Sequence, residues 1–379
     1  MNSLTEEQQL IQETAREVSQ EKIAPLASQY DEAEEFPIKS VEYLQELGFM
    51  GMMVDEEWGG SGLDTISYSI ALEEVSGACA STGVTMSVNN SLYSYPLETF
   101  GTDSQCEEFL RPVITDKLGA FALSEADAGS DAAAMRTTAK SEKGEWVING
   151  SKMWITNGGK AEFYIVFAKT DPQKKHKGIS AFILKEGDDG FTVGPPEKKL
   201  GIRASTTTPL QFDNVRIAID RLLGKEGDGF KIAMQTLDGG RIGIGSQAIG
   251  IGQAAINTAI KYVKQRHAFG GPIARFQGLQ WMIANSAVEI AAARALTWRA
   301  AGMKDRGERY VLEAAMAKLY ASEAAVRAAD MSLQIHGGAG YSRHFPVERY
   351  YRDAKITAIY EGTSEILRHI IARELIGPY

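Results

Sequence analysis

The sequence predicts an α+β protein in which a sheet-rich middle region separates two helical ones. Apolar residues recur at helical spacing on both flanks, and short β-type runs bounded by turn residues fill the middle. In residues 1–119, Leu10, Ile11, Ala15 and Val18 keep a helical period, and Val41, Leu44 and Leu47 repeat it up to a break at Gly48. Gly59, Gly60 and Gly62 then mark a loop. The texture changes over 120–228. There Trp146-Val147-Ile148 and Met153-Trp154-Ile155 flank Asn149-Gly150, which predicts a hairpin with a type I′ turn at that dipeptide. Further strands are expected at Tyr164–Phe167, Ile179–Leu184 and Leu210–Phe212. Residues 229–379 return to helix, with alanine-rich stretches at Ala254–Val263 and Leu312–Ile335 that favour close helix packing.

A chain of 379 residues with this order suggests three domains with ample material for a core. The net charge of −9 argues against a nucleic-acid or anionic-membrane partner. Cys79 and Cys106 offer neither a disulfide framework nor metal-ligand spacing, so no metal is expected. The polar start Met1–Leu10 and the lack of any run of 18 apolar residues lead us to expect a cytoplasmic protein with no membrane partner.

Two segments, Gly243-Ile244-Gly245-Ser246-Gln247-Ala248 and Gly250-Ile251-Gly252-Gln253-Ala254-Ala255, match the loose Gly-x-Gly-x-x-Ala dinucleotide fingerprint. Neither follows a strand or opens a βαβ unit, so the Rossmann reading fails its context test. Glycines that allow helices to approach closely are the better account.

The most informative segment is Ile359-Tyr360-Glu361-Gly362-Thr363-Ser364-Glu365-Ile366. A helical pattern follows it, with apolar positions at Ile366, Leu367, Ile370, Ile371 and Leu375. Thr363 suits the N-cap and Glu365 the first turn. Glu361 therefore precedes the helix on a glycine-hinged connection, either as an exposed loop residue or as a carboxylate aimed into a pocket.

The words Phe121-Ala122-Leu123-Ser124-Glu125, Ala128-Gly129-Ser130-Asp131, Trp154-Ile155-Thr156-Asn157-Gly158, Arg266-His267-Ala268-Phe269-Gly270 and Arg352-Asp353-Ala354-Lys355 stand upstream of Tyr360-Glu361-Gly362-Thr363. In this order and at these distances they resemble the acyl-CoA dehydrogenase family across essentially the whole chain. Ser87-Val88-Asn89-Asn90-Ser91-Leu92-Tyr93 and Leu296-Thr297-Trp298-Arg299-Ala300-Ala301 resemble its short-chain (butyryl-CoA) branch. The resemblance implies an N-terminal α domain, a middle β domain and a C-terminal four-helix bundle through which homotetramers form.

It also implies FAD. Phe121, Leu123, Ser124, Gly129 and Ser130 match the segment that meets the flavin and pyrophosphate, and Trp154 and Thr156 match positions against the isoalloxazine. For Trp154, a core aromatic of a hairpin is the alternative. Arg266 matches the arginine on the pyrophosphate, a role for a fixed fork of donors. Phe269 and Gln277 match further FAD contacts, Gln334 and Gly338 the segment reaching the adenosine end from a neighbouring subunit, and Thr363 and Glu365 positions near the flavin. Glu361 matches the base that removes the α-proton, and its own N–H and the flavin ribityl 2′-hydroxyl would bind the thioester carbonyl. Ser130, Asp238, Arg241, Glu361 and Gly362 match the acyl-CoA path, with a helix cap as the alternative for Asp238. Tyr93 and Tyr95 would add bulk to a pocket floor within Met86–Pro96, suiting a short, branched or cyclic acyl group. Electrons would pass to electron-transfer flavoprotein.

Three departures stand out: Ala126-Asp127 in place of Pro-Gly, His336 where an apolar residue is usual, and Ile217-Ala218-Ile219 without the frequent proline. For His336 a hydrogen-bonded loop histidine is expected. Two other readings keep the fold: an acyl-CoA oxidase-like enzyme, which would usually be longer, and a silent FAD-binding assembly protein, which would have lost its base. A glutaryl-CoA enzyme would need a cation within Met86–Pro96, and none occurs there.

Overall fold

The computed structural model describes residues 4–377, and the order along the chain is helices, sheet, helices. The first region holds α1 Glu6–Val18, α2 Ala24–Ala33, α3 Ile38–Glu46, α4 Thr65–Ala78, α5 Ala80–Ser87, α6 Tyr95–Phe100, α7 Asp103–Gln105 and α8 Arg111–Thr115. Wider π-type turns over Ser19–Ile23, Val88–Ser94 and Cys106–Leu110 join neighbouring helices. Thr5 and Gln8 form a reciprocal capping box that opens α1. Gly48, at φ 72°, stands where the sequence pattern breaks after α3.

The strands are β1 Gly119–Ala122, β2 Thr138–Glu142, β3 Glu145–Thr156, β4 Phe163–Lys169, β5 Ile179–Lys185, β6 Phe191–Val193, β7 Thr207–Ala218 and β8 Leu222–Leu223. They form one sheet in the order β6-β7-β3-β2-β4-β5-β8, with β1 parallel to β4. The expected hairpin at Asn149-Gly150 is not there. β3 runs through that dipeptide with a register shift against β7 between Ile148 and Gly150. The chain reverses instead at Lys143-Gly144, between β2 and β3, where both residues have positive φ. Asn-Gly marks a local break in a ladder, and here the break is a bulge rather than a tip.

After β8 come α9 Gly229–Gln265, a small arm of β9 His267–Ala268 and β10 Gly271–Pro272, then α10 Gln277–Asp305, α11 Val311–His336, α12 Val347–Thr357 and α13 Ser364–Ile376. Both dinucleotide-like glycine segments lie inside α9. A Cβ at Gly250 would stand 2.2 Å from the Glu73 carbonyl of α4, so these glycines let two helix backbones meet. Ala314, Ala317, Ala321, Ala325 and Ala328 of α11 are fully buried against the bundle. In α13 only Leu367 of the expected apolar face is fully buried, and Leu375 is exposed. Trp281 and Val288 of α10 are also exposed. None of the described helices is long and apolar enough to cross a membrane.

Candidate active site

Glu361 lies on the turn between α12 and α13 with left-handed backbone, φ 52°, followed by Gly362 at φ 101°. A non-glycine residue there is uncommon and strained, and the surroundings hold it in place. Ser364 N donates to the Ala358 carbonyl at 3.1 Å, and Thr363 caps α13 by accepting from Ile366 N. The Tyr360 hydroxyl bonds the Gln247 side chain on α9, and Gln247 Nε2 donates to the Ala80 carbonyl at 2.9 Å. Lys318 Nζ of α11 donates to the Gly362 carbonyl at 2.7 Å.

This turn presses the Glu361 carboxyl against α9. A Cβ at Gly240 would stand 2.1 Å from Glu361 Oε2, so glycine at 240 is what leaves room for this carboxyl. Leu92 closes the same spot from the Val88–Ser94 turn. Among the described residues Oε2 is buried with no hydrogen-bond partner, and the Glu361 N–H donates to no backbone carbonyl. Burial pushes the Glu361 pKa up to about 7, against the opposing charges of Lys318 and Arg241. Burial likewise pushes Lys318 down to about 7 and lowers Arg241, which pairs with Asp238. Asp238 lies within α9, so the helix-cap alternative falls.

Of the two tyrosines expected on the pocket floor, Tyr93 is turned away. It is fully buried, packs against Gly119 of β1, and its hydroxyl donates to the Phe109 carbonyl at 3.0 Å. Leu92 takes its place, because the wider π-type turn changes which residues of that stretch face the site. Tyr95 borders a cavity of about 250 Å³ with Met53, Asn90, Glu98 and Lys304, and the Lys304 ammonium stands 5.1 Å above its ring. That lysine comes from α10, outside the stretch searched for a cation in the sequence.

The loop after β1 is fixed from beneath. Glu125 is buried and accepts from Thr137 N at 3.0 Å, Arg136 N at 2.5 Å and Lys152 Nζ at 2.8 Å. Lys152, itself buried, also donates to the Leu123 carbonyl at 3.0 Å, and Met153 N donates to the Ser124 carbonyl at 2.9 Å. The outer part of the loop stays open: Gly129 and Ser130 are exposed, and a Cβ at Gly129 would meet nothing within 4 Å. Phe121 is half-buried against Phe167. Trp154 sits at φ 65° where β3 slips register against β7, which turns its ring outward; it is 56% exposed and not a core aromatic. Thr156 pairs with Thr207 at the end of the same strand.

Arg266, Phe269 and Gln277 form a separate exposed group on the arm linking α9 to α10, where Phe269 is 88% exposed at φ 51°. Gln334 and Gly338 are exposed at the end of α11. His336 is the last residue of that helix rather than a loop residue. It is buried, stacks on Tyr262 with ring centroids 4.1 Å apart, and its Nδ1 lies 2.7 Å from the Ser332 carbonyl. Glu365 is exposed in the first turn of α13.

A bound flavin fits these features. An outward tryptophan beside a loop with a pinned base offers a ring face, and exposed glycines at 129, 270, 337 and 338 let a ligand approach the backbone. Sequence reasoning missed Lys318 and Lys152, and gave Gly240 and Glu125 no role of their own. Lys318 was readable: it shares a helix face with Ala314, Ala321 and Ala325, all small and now seen buried.

Known proteins agree with this architecture. Residues 5–117, 120–215 and 227–376 match the N-terminal, middle and C-terminal domains of acyl-CoA dehydrogenase. The mitochondrial short-chain specific acyl-CoA dehydrogenase of Rattus norvegicus is 51% identical over 99% of this chain and 92% of its own. Butyryl-CoA dehydrogenase of Megasphaera elsdenii superposes with a TM-score of 0.97 at 43% identity, covering 99% of this chain and 100% of its own. A chain solved in work on the electron transferring flavoprotein of Acidaminococcus fermentans, directed at flavin-based electron bifurcation, gives a TM-score of 0.98 at 45% identity, with 100% of both chains covered. The chain belongs to the acyl-CoA dehydrogenase family and resembles its short-chain members throughout.

Proposed function

We propose that this enzyme dehydrogenates a short-chain acyl-CoA to the 2-enoyl-CoA, with FAD as cofactor and Glu361 as the base. One observation carries the reading: a buried carboxylate oxygen with no partner among the described residues, on a left-handed turn whose N–H donates to no backbone carbonyl there. The α-proton of a thioester is a weak acid. A carboxylate lifted to about 7 is a stronger base than an ordinary one and is still substantially ionised at neutral pH. The Glu361 N–H is free to stabilise charge that develops on the thioester oxygen as the proton leaves. Arg241, paired with Asp238, follows Gly240 on α9, and with Ser130 and Gly362 it would line the acyl-CoA path that the family resemblance implies. FAD, when bound, supplies the acceptor for the β-hydrogen, which leaves as hydride.

Leu123, Ser124, Gly129, Ser130, Trp154, Thr156, Thr363 and Glu365 hold the flavin end. Arg266, Phe269, Gln277, Gln334 and Gly338 serve the pyrophosphate and adenosine of a neighbouring subunit's FAD. The exposed Trp281 and Val288, seven residues apart on one face of α10, support a homotetramer built through the C-terminal bundle, since large apolar side chains grouped on one helix face favour a partner surface. Domain borders at 119/120 and 228/229 belong to the same reading. Electron-transfer flavoprotein as acceptor is supported by the similarity to the Acidaminococcus chain. The short acyl group is supported by Leu92, which stands beside Glu361 at Gly240 and takes up room there. A screen of saturated acyl-CoAs with a ferrocenium-type acceptor tests the whole reading. Four-carbon substrates should be preferred, and turnover with none of the series would overturn it.

A further inference from the structure

We infer that Lys318 is a positioning residue for proton abstraction: tied to the Gly362 carbonyl, its ammonium holds the turn that aims Glu361 and keeps that carboxylate in its ionised form. The inference rests on Glu361 as the base.

The geometry is specific. Lys318 Nζ reaches out of the alanine face of α11, is fully buried, and makes its hydrogen bond to Gly362 at 2.7 Å. A buried ammonium normally requires a carboxylate partner, because desolvating an unpaired charge costs several kcal/mol. Here the carboxylate it faces, Glu361, acts on it as a charge without a hydrogen bond, and Glu361 Oε2 stays unpartnered. The two charges thus stabilise each other while the base remains free to take a proton. A direct Lys–Glu hydrogen bond to Oε2 would instead have occupied a lone pair on the oxygen now left unpartnered.

The groups around Glu361 come from several elements. Lys318 on α11 and Arg241 on α9 favour its charged form. Asp238 offsets Arg241, Tyr310 lies near Arg241, and Glu365 acts on Lys318. Tyr360 and the buried Tyr68 of α4 face Glu361 with hydroxyls that stay protonated, since burial raises both. Lys318 is the first of the two favourable charges on the carboxylate, ahead of Arg241, so its loss weakens what opposes burial.

The test is the acid limb of the kcat/KM pH profile in Lys318→Met and Lys318→Arg, measured on protein with unchanged circular dichroism and assembly size. Lys318→Met should move the limb up by about one pH unit, an approximately tenfold loss below neutrality. Lys318→Arg keeps a permanent charge and should hold the limb at or below its original position. A lower plateau with the limb unmoved in both variants would show Lys318 to be merely structural and overturn the inference. If neither variant accumulates, ¹⁵N NMR of lysine ammonium groups in the intact protein decides. One lysine should titrate near neutrality and move down in Glu361→Gln, and no such lysine would overturn the inference. Near wild-type turnover in Glu361→Gln would instead remove the underlying reading of the base.

Discussion

The Glu361 turn and the Arg266–Gln277 arm both carry residues matched to chemistry, yet they are built in opposite ways. The turn is anchored from α9, α11 and α13, and its carboxyl is enclosed by Gly240 and Leu92. The arm is a two-stranded projection whose functional candidates all face outward, with Phe269 resting mainly on Phe276. One region takes all its anchoring contacts from a single chain. The other presents donors and an aromatic face that only something outside the chain can use. The Glu361 carboxyl is therefore preorganised by folding, whereas the proposed role of the arm depends on assembly or on binding.

The sharpest way to break this contrast is to remove the base. Glu361→Gln keeps size and hydrogen-bonding capacity, so FAD content should stay near wild type while steady-state turnover falls by about 10³-fold or more. The next probe asks whether the enclosure matters. Gly240→Ala puts a methyl group where Glu361 Oε2 now sits, so the carboxyl must move. Turnover should fall by roughly 10²-fold with little change in the melting temperature, because misplacement by about 1 Å is costly to the chemistry and not to the fold.

A third probe concerns the loop between these regions. Lys152→Met leaves the Glu125 carboxylate buried without its countercharge, and breaking such a pair costs about 3–5 kcal/mol. Denaturant unfolding should show the loss, and purified protein should retain less FAD. The smallest effect is expected on the arm. Arg266→Ala should leave the protomer's fold intact, yield substoichiometric FAD and promote dissociation on dilution, since ligand that binds only the assembled state stabilises it. Arg266→Lys should recover part of the occupancy, because an ammonium cannot reproduce the guanidinium fork. Full occupancy and unchanged size in the alanine variant would make Arg266 an ordinary surface residue.

The sequence disclosed these two regions unequally, and the reason is physical. Glu361 and its helix cap were legible because Thr363 and Gly362 signal a start locally. The arm was legible only as a resemblance, since exposed residues carry no periodic pattern. Asn149-Gly150 misled because the same dipeptide suits a hairpin tip and a bulge, and only the register between β3 and β7 separates them. Tyr93 misled because the π-type turn over Val88–Ser94 alters the angular step between side chains, so Leu92 rather than Tyr93 lies beside Glu361. Lys318 and Lys152 escaped notice for another reason. Lysine is so seldom fully buried that one within a helix or strand reads as surface, even when its neighbours on that face are all apolar.

The central claim, that Glu361 removes the α-proton, is tested most directly by anaerobic stopped-flow of flavin bleaching with butyryl-CoA and its α-deuterated form. Because burial raises the Glu361 pKa to about 7, the active, ionised form accumulates as pH rises. The bleaching rate in the wild type should therefore climb through about pH 7 to a plateau, with a primary isotope effect, and Glu361→Gln should show no bleaching on that timescale. Bleaching at a near wild-type rate in Glu361→Gln, or a wild-type rate independent of pH across that range, would contradict the account.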